Sequence, residues 1–216
     1  IPFEDTSAPH AGQSLAPRAL RETSVYFGWH ANPQFSHPVD IDARLDIQTD
    51  GLHERLCDLG DISLGQGEAI HAALKLAISQ INRNGACAVI LGGSDHLSET
   101  VQTALPDCQT VQLGGLPRHD RDFHVAPLPN GYATTCKLET AAQLARLSQW
   151  RDASKPLFVR FDLSVFETSL SALCDQPRLG GCDLDTVVQW LELLGQHEVN
   201  AIMLTSLNPS RPGMGV

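Results

Sequence analysis

Short, mostly apolar runs alternate with helical patterns along most of this 216-residue chain. Residues 86–91, 110–113, 157–161 and 201–204 form these runs, and each is followed by a glycine or a polar residue. Runs of this kind are typical of strands that are buried on both faces of a sheet. Their alternation with helices, through short glycine-rich junctions, predicts a three-layer α/β/α fold around a mostly parallel sheet with right-handed crossovers.

Helical periodicity fills the intervals between these runs. Apolar residues between Gly67 and Asn84 recur every three or four positions, and Gly85 follows as a natural stop. We also expect a short strand at residues 55–62 and irregular structure at residues 23–51. Further helices are predicted at residues 17–22, 97–105, 138–150 and 185–194.

Asp162 follows the run at residues 157–161 directly, so the strand places this acid at its carboxyl end. In open α/β sheets, the crevice beyond the carboxyl ends of the strands holds the binding and catalytic groups. Ser164 and Glu167 follow within a few residues and add a weak ligand and a second acid. We therefore expect Asp162 to be the central acid of any functional site.

Composition and charge exclude several classes of function. A net charge of −10 and an isoelectric point near 5.2 argue against nucleic acid or an anionic membrane as the main partner. The six cysteines form no CxxC pair, which argues against a zinc ribbon or a dithiol redox motif and suits a reducing compartment. No apolar run reaches about 18 residues. We expect a cytoplasmic protein whose residues 1–216 form one domain.

Five motifs, in the same order and with matching intervals, resemble those of the ureohydrolases, the family of arginase and agmatinase. The resemblance covers nearly the whole chain. The first two motifs are Ala16-Pro17-Arg18-Ala19-Leu20-Arg21 and Asp58-Leu59-Gly60-Asp61. The next is Leu91-Gly92-Gly93-Ser94-Asp95-His96, which is similar to L-G-G-D-H-S. The last two are Asp162, Ser164, Glu167 and Thr168 with the trailing Pro177, Gly180 and Gly181, and Ser206-Leu207-Asn208-Pro209.

The resemblance implies a site for two manganese ions that share a hydroxide, which attacks a guanidinium carbon. Its six ligands would be carboxylates and imidazoles, which suit hard divalent cations. Most of these ligands are replaced in this chain. Residues 114–118 replace D-A-H-x-D, although a register shift of one residue would restore His119. Ser164 replaces the second acid of D-x-D, and Ser206 replaces the glutamate that the resemblance assigns to the substrate guanidinium.

Two alignments remain open at the third motif. Without a gap, Asp95 takes the ligand position, and the apolar phase of the following helix is kept. With a one-residue insertion, His96 takes that position instead. The candidate metal ligands implied by the resemblance are therefore Asp162, His96, Asp95 and His119. The candidate substrate-binding residues are Ser206 and Asn130.

Three functional readings follow from this pattern of matches and losses. The first is a degenerate member of the family that has lost the dinuclear site and acts as a non-catalytic subunit or binding module. The second is a metal-dependent hydrolase with one Mn, Fe or Zn ion on His96, Asp162 and His119, acting on a guanidino, amidino or related C–N substrate. The third, a true arginase or agmatinase, would need its site rebuilt from unmatched residues.

The resemblance also implies assembly. We expect a homo-oligomer, a trimer or hexamer, or a hetero-oligomer with a catalytically intact paralogue. Family members continue beyond the Asn208-Pro209 turn into a final helix, which this sequence does not include. We expect the sheet to be completed by further residues or by a partner.

Overall fold

The computed structural model describes residues 2, 12–26, 39–40, 45–46, 57–62, 68–92, 95–114, 123–125, 146–147, 149–166, 174 and 181–210. Seven strands lie within these ranges. They are β1 (Val39–Asp40), β2 (Leu45–Asp46), β3 (Ala88–Leu91), β4 (Gln109–Leu113), β5 (Phe123–Val125), β6 (Leu157–Asp162) and β7 (Val199–Thr205). The α-helices are α1 (Ala16–Tyr26), α2 (Glu68–Arg83), α3 (Ser98–Ala104) and α4 (Leu184–Gly195).

A five-stranded parallel sheet forms the centre of the fold, with the strand order β3-β7-β6-β4-β5. Strand β6 is buried along its whole length because it lies between β7 and β4. The carboxyl ends of β3, β4, β6 and β7 therefore meet at one edge. A separate antiparallel pair joins β1 to β2.

Side chains from alternate positions of the sheet build two apolar cores, one on each face. On the first face, Phe158 and Met203 pack with apolar residues of α2 and α3, including Leu74 and Val101. On the second face, Val159 and Phe161 pack with residues of α4, including the almost fully buried Trp190. Helices thus cover both faces of the sheet, which is the predicted three-layer α/β/α arrangement.

The predicted helices and strands are largely confirmed, with small shifts at their ends. The helix between Gly67 and Asn84 is α2, and the predicted helix at residues 185–194 is α4. Residues 146–147 and 149–150, at the end of the helix predicted for 138–150, are helical. The strand predicted at residues 55–62 is wrong for the portion that the structure describes, because residues 57–62 contain no strand.

That segment forms a loop held by polar contacts. Asp58 and Asp61 accept hydrogen bonds from the guanidinium of Arg21 on α1, at 2.6–3.2 Å. Leu59 is 69% exposed, and Ile62 at the end of the segment is partly buried against the core, so the segment lacks the alternation of buried and exposed apolar residues that would favour a strand. The contacts attach α1 to the body of the protein. None of the helices in the described ranges is both long enough and apolar enough to cross a bilayer.

Candidate functional site

The carboxyl edge of the sheet brings polar side chains from three strands to the face that α2 and α3 cover. Asp162 ends β6, Ser206 follows β7, and Asp95 begins a 3₁₀ helix shortly after β3. Arg160 lies two residues before Asp162, so both side chains leave β6 on the same face. The topology, rather than closeness in sequence, assembles this group.

Asp162 is a buried carboxylate that is held by two donors. Its Oδ1 accepts a hydrogen bond from the backbone N–H of Ser164 at 2.8 Å, and its Oδ2 accepts one from the hydroxyl of Ser206 at 2.7 Å. The first bond caps the short 3₁₀ helix Leu163–Val165. Each carboxylate oxygen of Asp162 is therefore already bound within the protein.

Burial raises the pKa of Asp162, because desolvation disfavours its charged form. The hydrogen bonds from Ser206 and Ser164 act in the opposite direction, and the negative charge of Asp95 adds to the increase. The two acids therefore lie close enough to interact. On balance the pKa is raised, so Asp162 holds its proton more strongly than an ordinary aspartate does.

Asp95 is ion-paired to Arg160. The Nη2 of Arg160 lies 2.9 Å from both carboxylate oxygens of Asp95. The side chain of Arg160 is 3% exposed and that of Asp95 is 23% exposed. A buried guanidinium on the central strand thus supplies positive charge to the acid that the ungapped alignment places in a metal-ligand position.

Ser206 has an unusual backbone conformation at the end of β7. Its φ of 69° makes it the one non-glycine residue with positive φ in the described ranges. A side chain raises the steric energy of the backbone in this left-handed region. Non-glycine residues adopt it where the surrounding structure holds them there, often at functional sites. The turn directs the Ser206 hydroxyl at Asp162.

Gly114 supports this edge from the neighbouring strand. It follows β4 with a φ of +75°, and a Cβ at this position would lie 2.7 Å from the carbonyl oxygen of Asp162. The same Cβ would lie 2.7 Å from the backbone nitrogen of Val165. The close approach of β4 to the turn after β6 therefore requires glycine.

The candidate residues from the sequence are only partly brought together. Asp95, Asp162 and Ser206 belong to the same cluster, whereas His96 is exposed on its 3₁₀ helix. His119 and Asn130 lie outside the described residues, and their assignments stay predictions. Arg160 was missed, although a charged residue inside an otherwise apolar strand was a signal that could have identified it.

The donors that the structure describes at this edge do not fit a metal ion. Asp95 holds a guanidinium, and both oxygens of Asp162 accept hydrogen bonds. Within the described ranges, no group of three or more His, Cys, Asp or Glu side chains converges as metal ligands would. A hard divalent cation needs several oxygen or nitrogen donors directed at one point.

Comparison with known proteins gives a family and a fold. A family model described as the arginase family matches residues 1–110. No curated protein sequence matches the chain. Agmatine ureohydrolase from Thermoplasma volcanium superimposes with a TM-score of 0.71 at 14% identity, covering 99% of this chain and 81% of that protein.

Two further solved structures have the same fold. Arginase from Bacillus subtilis gives a TM-score of 0.68 at 11% identity, covering 99% of this chain and 90% of the other. Formiminoglutamase from Trypanosoma cruzi, determined with Mn²⁺, gives 0.64 at 17% identity, with coverages of 97% and 83%. At these identities the likeness is one of fold, and it confirms the predicted α/β/α class.

Proposed function

The chain belongs to the arginase family, and we propose that it is a member that has lost the dinuclear metal site and acts as a non-catalytic subunit or binding module. The family match confirms the resemblance predicted from the five motifs. The proposal concerns what this chain does with that fold. It rests chiefly on the buried ion pair between Arg160 and Asp95.

Arg160 supplies a permanent positive charge where a metal would need to bind. An arginine guanidinium is a delocalised cation with five N–H donors and no acceptor, so it cannot itself bind a metal. A divalent cation bound to Asp95 would have to displace this guanidinium and would also be repelled by it. Because Arg160 is almost fully buried, its guanidinium cannot move into water without a change in the packing around β6.

Asp162 is also poorly prepared to bind a metal. A carboxylate ligand must be deprotonated, and burial of Asp162 acts against deprotonation. Its two oxygens would have to give up the backbone N–H of Ser164 and the hydroxyl of Ser206. These hydrogen bonds make the site self-contained without a metal.

Hydrolysis of a C–N bond also requires an activated water and a group that holds the substrate cation. Ser206 occupies the position of the acid that the resemblance assigns to the substrate guanidinium, and its hydroxyl carries no charge to attract a cation. The Ser206 hydroxyl is instead a donor to Asp162. A role in binding a partner, with the α/β/α scaffold retained, agrees with these substitutions.

Elemental analysis of the purified protein tests the proposal. The protein is produced in cultures supplemented with Mn, Fe and Zn, and metal is measured per chain after gel filtration without chelators. We expect less than about 0.1 ion per chain, because the Asp95 carboxylate is paired with Arg160 and Asp162 accepts a hydrogen bond from Ser206. Incubation with arginine or agmatine should release no urea. Two manganese ions per chain with urea release would refute the proposal.

The same measurement distinguishes the proposed loss of metal from the alternative of a site with one metal ion. One ion per chain, lost in a His96→Ala variant and in a His119→Ala variant, would select the metalloenzyme with His96, Asp162 and His119. An Arg18→Ala variant is the control and should leave the metal content unchanged, because Arg18 lies outside the candidate site, in an exposed ion pair with Glu22.

A further inference from the structure

Helix α4 carries an apolar stripe on its outer surface, in addition to the face that it buries against the sheet. Val187, Trp190 and Leu194 are buried in the core. Leu184, Val188 and Leu191 are 52%, 41% and 38% exposed. Single exposed apolar residues are common on protein surfaces, whereas three in helical register form a continuous stripe.

The spacing of the stripe is that of a coiled-coil seam. Leu184, Val188 and Leu191 follow one another at intervals of four and three residues, which are successive d, a and d positions of a heptad. Gly195 occupies the next a position, and a Cβ there would meet nothing within 4 Å. Apolar residues at the a and d positions form the contact between two helices of a coiled coil.

The two borders of the stripe differ. Asp185 and Glu192 occupy the e positions, and both are exposed. The g positions on the other border are Val187 and Leu194, which are buried in the protein's own core. An approaching helix therefore meets acids along one border and the body of this protein along the other.

From this pattern we propose that α4 is a docking surface for an amphipathic helix of another protein, one with apolar residues at its a and d positions and lysine or arginine at e. The helix would lie antiparallel to α4, because antiparallel pairs bring e positions opposite e positions. Lysine or arginine at e would then face Asp185 and Glu192. The net charge of −10 adds to the attraction for a basic partner.

A second copy of this chain fits the surface poorly in either direction. In an antiparallel pair of α4 helices, Asp185 and Glu192 of each copy would face the same two acids of the other, with like-charge repulsion. In a parallel pair, the acids at e would face the g positions of the other copy. Those positions hold Val187 and Leu194, which are already buried in that copy's own core. The charge pattern thus selects a different, basic chain.

The docking surface lies on the opposite side of the sheet from the ion pair. Helix α4 packs with Val159 and Phe161, whereas Arg160 leaves β6 on the other face. Substitutions on the exposed face of α4 can therefore be tested without changing Asp95 or Asp162. The inference extends beyond the proposed loss of metal binding, and either one can fail alone.

Two labelled helical peptides of 21 residues test the docking surface by fluorescence anisotropy at low salt. Both carry leucine at d and valine at a, and they differ only in having lysine or glutamate at every e position. We expect the lysine peptide to bind saturably and the glutamate peptide to bind roughly tenfold more weakly, from two pairs of charges. A Val188→Glu variant should lose binding, and Gln189→Glu, outside the seam, should retain it.

Charge reversal makes the test specific. In the double variant Asp185→Lys with Glu192→Lys, the preference should invert, so that the glutamate peptide binds more tightly. Because both positions are exposed, the two substitutions should leave the fold unchanged, and far-UV circular dichroism checks this. Equal binding of both peptides, or no binding of the lysine peptide, would overturn the proposal. It would also be overturned if sedimentation velocity showed a wild-type dimer that Val188→Glu dissociates.

Discussion

The ion pair between Arg160 and Asp95 makes a quantitative prediction for a double-mutant cycle. We consider Asp95→Asn, Arg160→Met and the two together, because asparagine and methionine keep the approximate size of the side chains they replace. The two single variants should differ because the partners differ in burial. Arg160 is 3% exposed and Asp95 is 23% exposed.

Asp95→Asn removes the negatively charged partner of the Arg160 guanidinium, which has little access to water. Breaking a buried pair in this way costs about 3–5 kcal/mol of stability. Arg160→Met leaves a carboxylate that water reaches in part, so we expect a smaller loss of about 1–3 kcal/mol. The double variant should lose less than the sum of the single losses, because a neutral pair carries no uncompensated charge. The predicted coupling is about 2–3 kcal/mol.

Urea denaturation followed by tryptophan fluorescence, to which the buried Trp190 contributes, gives the free energy of unfolding of each variant. The matched control is the cycle of Arg18→Met and Glu22→Gln, because these residues form an ion pair with side chains that are 78% and 63% exposed. Its coupling should stay below about 0.5 kcal/mol. Single losses at Asp95 and Arg160 that add within about 0.5 kcal/mol would refute the reasoning.

Two further predictions concern the same edge of the sheet. Because burial raises the pKa of Asp162, the folded state takes up a proton above the ordinary value of 3.8, and this contribution to stability is lost as pH rises through the folded pKa. Asp162→Asn should therefore stabilise the protein most at pH 8 and progressively less towards pH 4. Asp152→Asn should show the opposite sign, since hydrogen bonds from Ser154 lower the pKa of Asp152; equal pH profiles would contradict both assignments. Gly114→Ala should cost at least about 3 kcal/mol from steric overlap, and Gly85→Ala, with positive φ but open space, about 1 kcal/mol; equal losses in thermal unfolding would contradict the predicted crowding at Gly114.

The central strands were predictable because burial on both faces leaves a direct signature in the sequence. Strand β6 and its neighbour β7 coincide with apolar runs, and the periodicity of α2 and α4 marked their buried faces. The three-residue edge strand β5 was missed, because pairing with β4 defines it more than its own residues do.

The loop at residues 57–62 was assigned wrongly for a related reason. Its mixture of apolar and acidic residues resembles a short strand, but Leu59 is exposed and the acids bind Arg21 about forty positions earlier in the sequence. Single-sequence patterns carry no information about such distant partners. Tertiary contacts therefore decided the conformation.

The sequence named both acids of the cluster as candidate residues, but it did not identify the cation that pairs with Asp95. Asp162 could be placed because it ends a buried strand, and Ser206 because it follows the last strand. The contact of Arg160 with Asp95 spans 65 positions, and only the order of strands in the sheet brings the two together. The sequence resemblance suggested which ligand positions of the family hold other residues, but it did not indicate that Arg160 pairs with Asp95.

Titration of the purified protein with Mn²⁺ by isothermal calorimetry tests the loss of the dinuclear site most directly. Asp95→Asn and Asp162→Asn variants serve as references, because each removes one of the two acids that remain in the cluster. We predict no saturable binding up to about 1 mM Mn²⁺, and the same trace for the wild type and both variants. Saturable binding of two ions per chain, weakened by either substitution, would contradict the proposal.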